Sequence, residues 1–269
     1  MTYCVAICLE EGLVFLSDTR TNAGVDDIGT FRKMTIYKKD DQRIFTLLSA
    51  GNLAISQAVK EIINQGYLFD GMNIWNAKNA YEAALVVGSA IRKVKERDER
   101  ALADAGIDFN CNFIFGGQIF GEKPRLFNIY SAGNFVESTH ETCYFQIGEA
   151  KYGKPILDRV IKHHTPLDLA TKSALISMDS TLKSNISVGL PLDLFVYETN
   201  SFSLHKAITI DDSNPYFGMI RKLWGQKLTE IVMSIQEPNW EDNPEFLAIM
   251  ATPEKIGPIT LIENSGPEH

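Results

Sequence analysis

The order of strand-like and helix-like blocks along this chain is the feature that most constrains its fold. The chain twice repeats the same pattern, a block of strands followed by a pair of helices. The strand-like apolar runs lie at residues 3–9, 13–16, 43–48, 112–117, 125–130, 143–147, 193–197 and 203–208. The apolar stripes at helical spacing lie at residues 55–63, 81–91, 156–161 and 169–178. Two blocks of strands separated by paired helices predict two sheets packed face to face, with helices outside.

The chain opens with Met1 and Thr2, directly before the first strand-like run. A small second residue allows the initiator Met to be removed, which would leave a threonine with a free α-amino group at the tip of a strand. The hydroxyl of such a residue can attack a carbonyl while its own amine takes the proton. Thr2 is therefore a candidate nucleophile, and an ordinary processed terminus is the alternative.

Asp18 and Lys33 lie at the two ends of a polar, Gly-containing loop, each beside a strand-like run. If the strands that carry them lie on either side of the first strand, the Lys33 ammonium would approach Thr2 while Asp18 holds it. A nearby cation lowers the pKa of an amine and of a hydroxyl, as an amine base near neutral pH requires. A surface ion pair is the alternative.

Gly51 ends the segment Ser49-Ala50-Gly51, between a strand-like run and a helix that starts at Asn52. Glycine at such a turn lets backbone N–H groups point into a cleft, where they stabilise an oxyanion. A glycine needed only for the geometry of the turn is the alternative.

The chain resembles the proteasome β-subunit family of N-terminal-nucleophile hydrolases in four features that keep this order: Thr2, the Asp18-Thr19-Arg20 segment, Lys33 and Ser49-Ala50-Gly51. The opening Met-Thr-Tyr and the segments Ser17 to Asp26 and Ser184 to Gly189 are most similar to Anbu, the bacterial proteasome-related group. The resemblance extends from Thr2 to about Asp211. It implies an α+β fold of the four-layer αββα sandwich type, self-assembly, and Thr2 as the nucleophile. Residues 1–211 would form the β-subunit-like domain, and residues 212–269 a helical extension and tail.

The resemblance also implies an acid and a hydroxyl that support the threonine. Asp179 is the candidate acid, and Ser187, with Ser180 and Ser184 as alternatives, is the candidate hydroxyl near the α-amine. Glu149 stands where the family has a serine. A carboxylate near the amine would raise the pKa of that amine and weaken it as a base.

Composition excludes several classes of function. The net charge of −8 and the pI near 5.2 argue against a nucleic-acid partner. The first apolar run lacks a basic leader, and no apolar stretch reaches about 20 residues, so neither a secretory signal nor a membrane role is expected. The cysteines Cys4, Cys8, Cys111 and Cys143 show no CxxC spacing, which predicts free buried thiols in a reducing cytoplasm.

Histidine spacing predicts no metal site, and we expect no cofactor. His163 and His164 are adjacent, so their side chains point in different directions and chelate poorly; a helix C-terminal interaction is the better explanation. His140 and His205 lack partner spacing.

The leading hypothesis is a threonine hydrolase that cleaves peptide or small amide bonds in a homo-oligomer, either a ring or a helical assembly. A catalytically silent assembly-forming homologue is the first alternative, and a small-molecule amidase is the second. A further amphipathic helix at 220–232 is expected to form a subunit contact, with local packing as the alternative.

Overall fold

The computed structural model describes residues 1–22, 28–66 and 69–236. The chain separates into two compact units, Met1–Trp224 and Gly225–His269. The predicted boundary after residue 211 stays a prediction, and the predicted tail from residue 237 onward lies outside the described residues, as does part of the Ser17 to Asp26 segment.

Two five-stranded antiparallel sheets carry the fold. The first sheet has the order β10-β1-β2-β11-β12, and the second has the order β5-β6-β7-β8-β9. The first sheet contains β1 (Tyr3–Leu9), β2 (Gly12–Asp18), β10 (Tyr144–Gly148), β11 (Leu192–Glu198) and β12 (Ala207–Ile210). The second contains β5 (Met34–Lys39), β6 (Arg43–Gly51), β7 (Cys111–Ile119), β8 (Arg125–Ile129) and β9 (Phe135–Glu137). A short ribbon pairs β3 (Arg20–Asn22) with β4 (Ile28–Thr30).

Four helices cover the outer faces of the sheets: α1 (Leu53–Asn64), α2 (Ala80–Asp104), α3 (Ala150–Val160) and α4 (Leu167–Ser184). A further helix, α5, spans Pro215–Ser234. Apolar residues of α1 and α2 share a core with the second sheet, and those of α3 and α4 share one with the first sheet. Phe217 and Ile220 of α5 join the core of the first sheet.

A third core lies between the sheets, and β1 shows why. Its residues alternate, with Tyr3, Val5 and Ile7 against the helices. Cys4 and Ala6 point the other way, into the layer shared with the second sheet. Because both faces are covered, all seven residues of β1 are buried. This is the four-layer αββα sandwich, so the predicted fold class is confirmed.

The predicted placement of the Lys33 strand is wrong. β1 lies between β2 and β10, and β5, which follows Lys33, is an edge strand of the second sheet. Apolar runs reveal strands but not the sheet to which each strand belongs, because partners distant in sequence decide that. Strand limits also differ: β6 continues to Gly51, and β12 begins only at Ala207.

None of the helices in the described part of the chain is both long and apolar enough to cross a membrane.

Candidate active site

A cleft of about 780 Å³ lies at the N-terminal end of β1. Thr2 lines it, one residue before the strand begins. The other described residues of its wall are Met1, Thr21, Lys33, Ser49, Ala50, Gly51, Asn52, Leu53, Ser56, Asn110, Asn112, Gly148 and Glu149. The structure thus brings together Thr2, Lys33 and Gly51, three of the residues that the sequence singled out.

The backbone of Thr2 is held by the turn between β10 and α3. The Glu149 N–H donates to the Thr2 carbonyl oxygen at 2.7 Å. Gly148 has φ +83°, and a Cβ there would lie 1.9 Å from that oxygen. Only glycine allows both the left-handed conformation and the close approach. Gly148 therefore sets how tightly the turn closes on Thr2.

Asp18 and Lys33 form an ion pair that bridges the two sheets. Asp18 is the last residue of β2, and Lys33 directly precedes β5. Lys33 Nζ lies 2.6 Å from Asp18 Oδ1 and also donates to the Arg20 carbonyl oxygen at 2.6 Å. Asp18 Oδ1 accepts a further hydrogen bond from the Tyr3 N–H at 3.0 Å. The carboxylate thereby ties the lysine to the first residue of β1, next to Thr2.

This pair is almost fully shielded from solvent. The Asp18 side chain is 0% exposed and that of Lys33 is 7% exposed. Burial raises the pKa of the Asp18 carboxyl above its usual value, and the Lys33 ammonium opposes that rise, helped by the backbone N–H groups of Tyr3 and Gly189. A buried ammonium at the wall of the cleft acts through a low dielectric, so its effect on nearby groups exceeds that of a surface lysine.

Gly51 lies at the end of β6, where the chain turns into α1. It has φ +99°, and a Cβ there would lie 2.5 Å from the Asn110 carbonyl oxygen. The next residue, Asn52, caps α1 by accepting from the Ala54 N–H at 3.0 Å. Ser49 joins this corner to the lysine, since its N–H donates to the Lys33 carbonyl oxygen at 3.1 Å.

Asp179 is not brought to the cleft. It is buried on α4, and its Oδ1 accepts from Arg221 Nε on α5 at 3.0 Å. The position of a residue around a helix decides which neighbour it meets, and the resemblance did not fix that position for Asp179. Asp179 therefore belongs to the contact between α4 and α5, and neither Ser180 nor Ser184 is among the described residues of the cleft wall.

Ser187 lies in a segment that reaches the site without lining the cleft. Its N–H donates to Asn185 Oδ1 at 2.9 Å. In the same segment, Gly189 N lies 3.4 Å from Asp18 Oδ2, and Asn185 Nδ2 lies 3.9 Å from Met1 Sδ. Asn185 thus contacts the side chain of Met1. Sequence reasoning missed it, although it lies inside the segment that carried the resemblance.

Glu149 faces the cleft, as its departure from the family serine suggested. The side chain is 19% exposed, and its Oε2 lies 3.9 Å from Lys151 Nζ. No other salt bridge or side-chain hydrogen bond to its carboxylate is present among the described residues. It places an acidic group beside Thr2.

Polar wall residues were also missed. Asn110, Asn112 and Ser56 line the cleft without any motif to announce them. Thr21 Oγ1 is buried and has no hydrogen-bond partner in the described part of the chain. Residues of this kind come from a loop, two strands and a helix, and only folding brings them to one surface.

Two histidines from different segments meet in a way that their spacing did not reveal. The rings of His140 and His163 stack with centroids 4.1 Å apart. Within residues 1–22, 28–66 and 69–236, no cluster of three or more His, Cys, Asp or Glu residues could hold a metal ion. The four cysteines are free and buried, as predicted.

Comparison with solved structures identifies the relatives of this chain. Anbu (ancestral beta-subunit) from Yersinia bercovieri is 50% identical with a TM-score of 0.82, over 87% of this chain and 98% of that one. Anbu from Hyphomicrobium sp. strain MC1 is 47% identical with a TM-score of 0.81, over 87% and 98%. The chain belongs to the Anbu family.

A third Anbu structure, described as the helical assembly of the Anbu complex from Pseudomonas aeruginosa, is 43% identical with a TM-score of 0.84. It covers 90% of this chain and 100% of that one. Comparisons with protein-family models and with curated proteins found no match. The predicted Anbu resemblance is confirmed, and with it a proteasome-related fold.

Proposed function

We propose that this Anbu protein is a threonine-type hydrolase of amide bonds that works in the cytoplasm as a homo-oligomer. The observation that carries the proposal is the buried Lys33–Asp18 pair, whose lysine lines the same cleft as Thr2. A buried ion pair is weak evidence of a stabilising role, so the place of its lysine on the wall of the Thr2 cleft favours a chemical role.

The mechanism needs Thr2 to carry a free α-amine after removal of Met1. The amine takes the proton of the Thr2 hydroxyl, and Oγ attacks the carbonyl carbon of the substrate. The negative charge that develops on the carbonyl oxygen is stabilised by the backbone N–H of Gly51. Lys33, held by Asp18, stabilises the alkoxide character of Oγ.

Collapse of the tetrahedral intermediate breaks the C–N bond. The leaving amine takes the proton from the Thr2 ammonium, and an ester between Thr2 Oγ and the acyl group remains. Water then attacks that ester with the α-amine as base, which releases the acid and restores Thr2. Asp179 has no part in this scheme because its carboxylate pairs with Arg221.

Assembly is the second part of the proposal. The relative from Pseudomonas aeruginosa is described as a helical assembly. In this chain the first turns of α5 expose the large side chains Tyr216, Met219 and Leu223. An apolar surface of this kind favours contact with another copy.

The test combines mass spectrometry with a Thr2-directed reagent. Intact mass should show the chain without Met1, and a peptide electrophile that acylates hydroxyls should label the N-terminal Thr2. Thr2→Ala should lose labelling and hydrolysis, whereas the matched variant Thr2→Ser should keep both. A chain that retains Met1 and cleaves no amide would favour the silent assembly-forming alternative.

A further inference from the structure

Glu149 gives the Thr2 cleft an acidic group whose role the hydrolytic scheme leaves open. Among the described residues of the wall, the ionisable side chains are those of Lys33 and Glu149. The positive charge of Lys33 is already balanced by the Asp18 carboxylate, and two of its three N–H donors are used by Asp18 and the Arg20 carbonyl oxygen. The remaining polar wall residues present neutral hydroxyl or amide groups. The charge that the wall offers to a ligand is therefore the negative charge of Glu149.

The surroundings of Glu149 leave it without a strong partner. Its side chain is only 19% exposed, so much of its hydration is lost. Lys151 lies 3.9 Å away, beyond hydrogen-bond distance, and is 72% exposed. The Glu149 carboxylate makes no hydrogen bond within the described residues, so it is free to accept one from a ligand in the cleft. The Thr2 amine must be neutral when it acts as the base, so it is not a permanent cation for Glu149.

The position of Glu149 places its ligand next to the reacting bond. Glu149 and Thr2, the proposed nucleophile, line the same cleft, and their backbones are joined by the Glu149 N–H, 2.7 Å from the Thr2 carbonyl oxygen. We infer that the cleft selects amide substrates that carry a cationic group on the residue beside the scissile bond, and that Glu149 binds this cation. The inference rests on the proposed hydrolase function and names its substrate class.

The experiment compares three fluorogenic peptide amides that carry Lys, norleucine or Glu before the scissile bond. Norleucine keeps the alkyl chain of lysine and lacks its ammonium. We expect the wild-type kcat/KM for the Lys peptide to exceed that for norleucine by about tenfold, the effect of one charge-assisted hydrogen bond. Glu149→Gln should bring the ratio near one, and Glu149→Lys should favour the Glu peptide. The control Lys151→Gln should keep the wild-type ratio.

Binding of the same peptides to Thr2→Ala, measured by calorimetry, separates recognition from chemistry. Tighter binding of the Lys peptide without any wild-type cleavage would refute the hydrolase and support the recognition. Cleavage with equal rates for Lys and norleucine would refute the recognition and leave the hydrolase standing. A ratio that Glu149→Gln does not change, or a failure of all peptides to bind, would also overturn the inference.

Discussion

Replacing Lys33 with Met isolates the buried charge of Asp18. The variant removes the ammonium 2.6 Å from Oδ1 and leaves a carboxylate that is 0% exposed. Breaking a buried ion pair on one side costs about 3–5 kcal/mol. The N–H groups of Tyr3 and Gly189 remain, at 3.0 and 3.4 Å, so we expect a loss near the lower end of that range in the free energy of unfolding at pH 7.5.

The penalty should depend on pH with a defined sign. Burial already raises the pKa of Asp18, and loss of the opposing Lys33 ammonium raises it further. Between the unfolded and folded pKa values the native state then binds the proton that the unfolded state has released, so stability falls as pH rises. The cost of Lys33→Met should therefore shrink as pH is lowered from 7.5 towards 5.

Urea unfolding at one fixed protein concentration measures both effects. Lys38→Met is the matched control, because the Lys38–Asp40 pair is exposed on the Asp40 side and should change stability by less than about 1 kcal/mol. The double variant Lys33→Met with Asp18→Asn should recover most of the loss, since it leaves no unpaired charge. A pH-independent loss below about 1 kcal/mol for Lys33→Met would refute the reasoning. We also expect Lys33→Met to reduce turnover at least as severely as it reduces stability. Asp18→Asn should reduce turnover as well.

Three further outcomes are expected. Gly148→Ala should lower the free energy of unfolding by about 2–4 kcal/mol in thermal or urea unfolding, because the new Cβ meets the Thr2 carbonyl oxygen. The control Gly121→Ala, also at φ +83° but with nothing within 4 Å of its Cβ, should cost about 1 kcal/mol. Equal losses in the two variants would contradict the clash at Gly148. Burial raises the pKa of Cys111 to about 12 and that of Cys4 still further, so native protein should resist iodoacetamide at pH 8 and react once unfolded; rapid native labelling would disprove their burial. Light scattering at micromolar concentration should show a homo-oligomer. A single species of 30.1 kDa would refute the proposal that the chain assembles.

Local patterns were enough for most of the fold. Apolar runs and helical stripes located the major strands and helices, and their order predicted two sheets between helix pairs. Asn52 was correctly placed at the start of α1, where its side chain caps the helix. These features depend on neighbours a few residues away, so the sequence determines them directly.

Some residues of the candidate site could likewise be predicted from local sequence patterns, and others could not. Thr2, Lys33 and Gly51 were found because each lies at or directly beside the end of a strand, where side chains and backbone groups leave the core. Asp18 was found for the same reason. The partners of Asp179 and Asn185 could not be assigned from spacing, since the course of the helix and of its following loop brings Asp179 to Arg221 and Asn185 to the Met1 side chain.

By itself the sequence determined the strand and helix blocks, the burial pattern of β1 and the residues that stand at strand ends. Only the tertiary structure decided that Lys33 reaches Asp18 from the opposite sheet, that Glu149 lines the same cleft as Thr2, and that His140 meets His163. Strand pairing and sheet packing join residues far apart in the chain. Their geometry depends on the whole core at once, and no local pattern contains it.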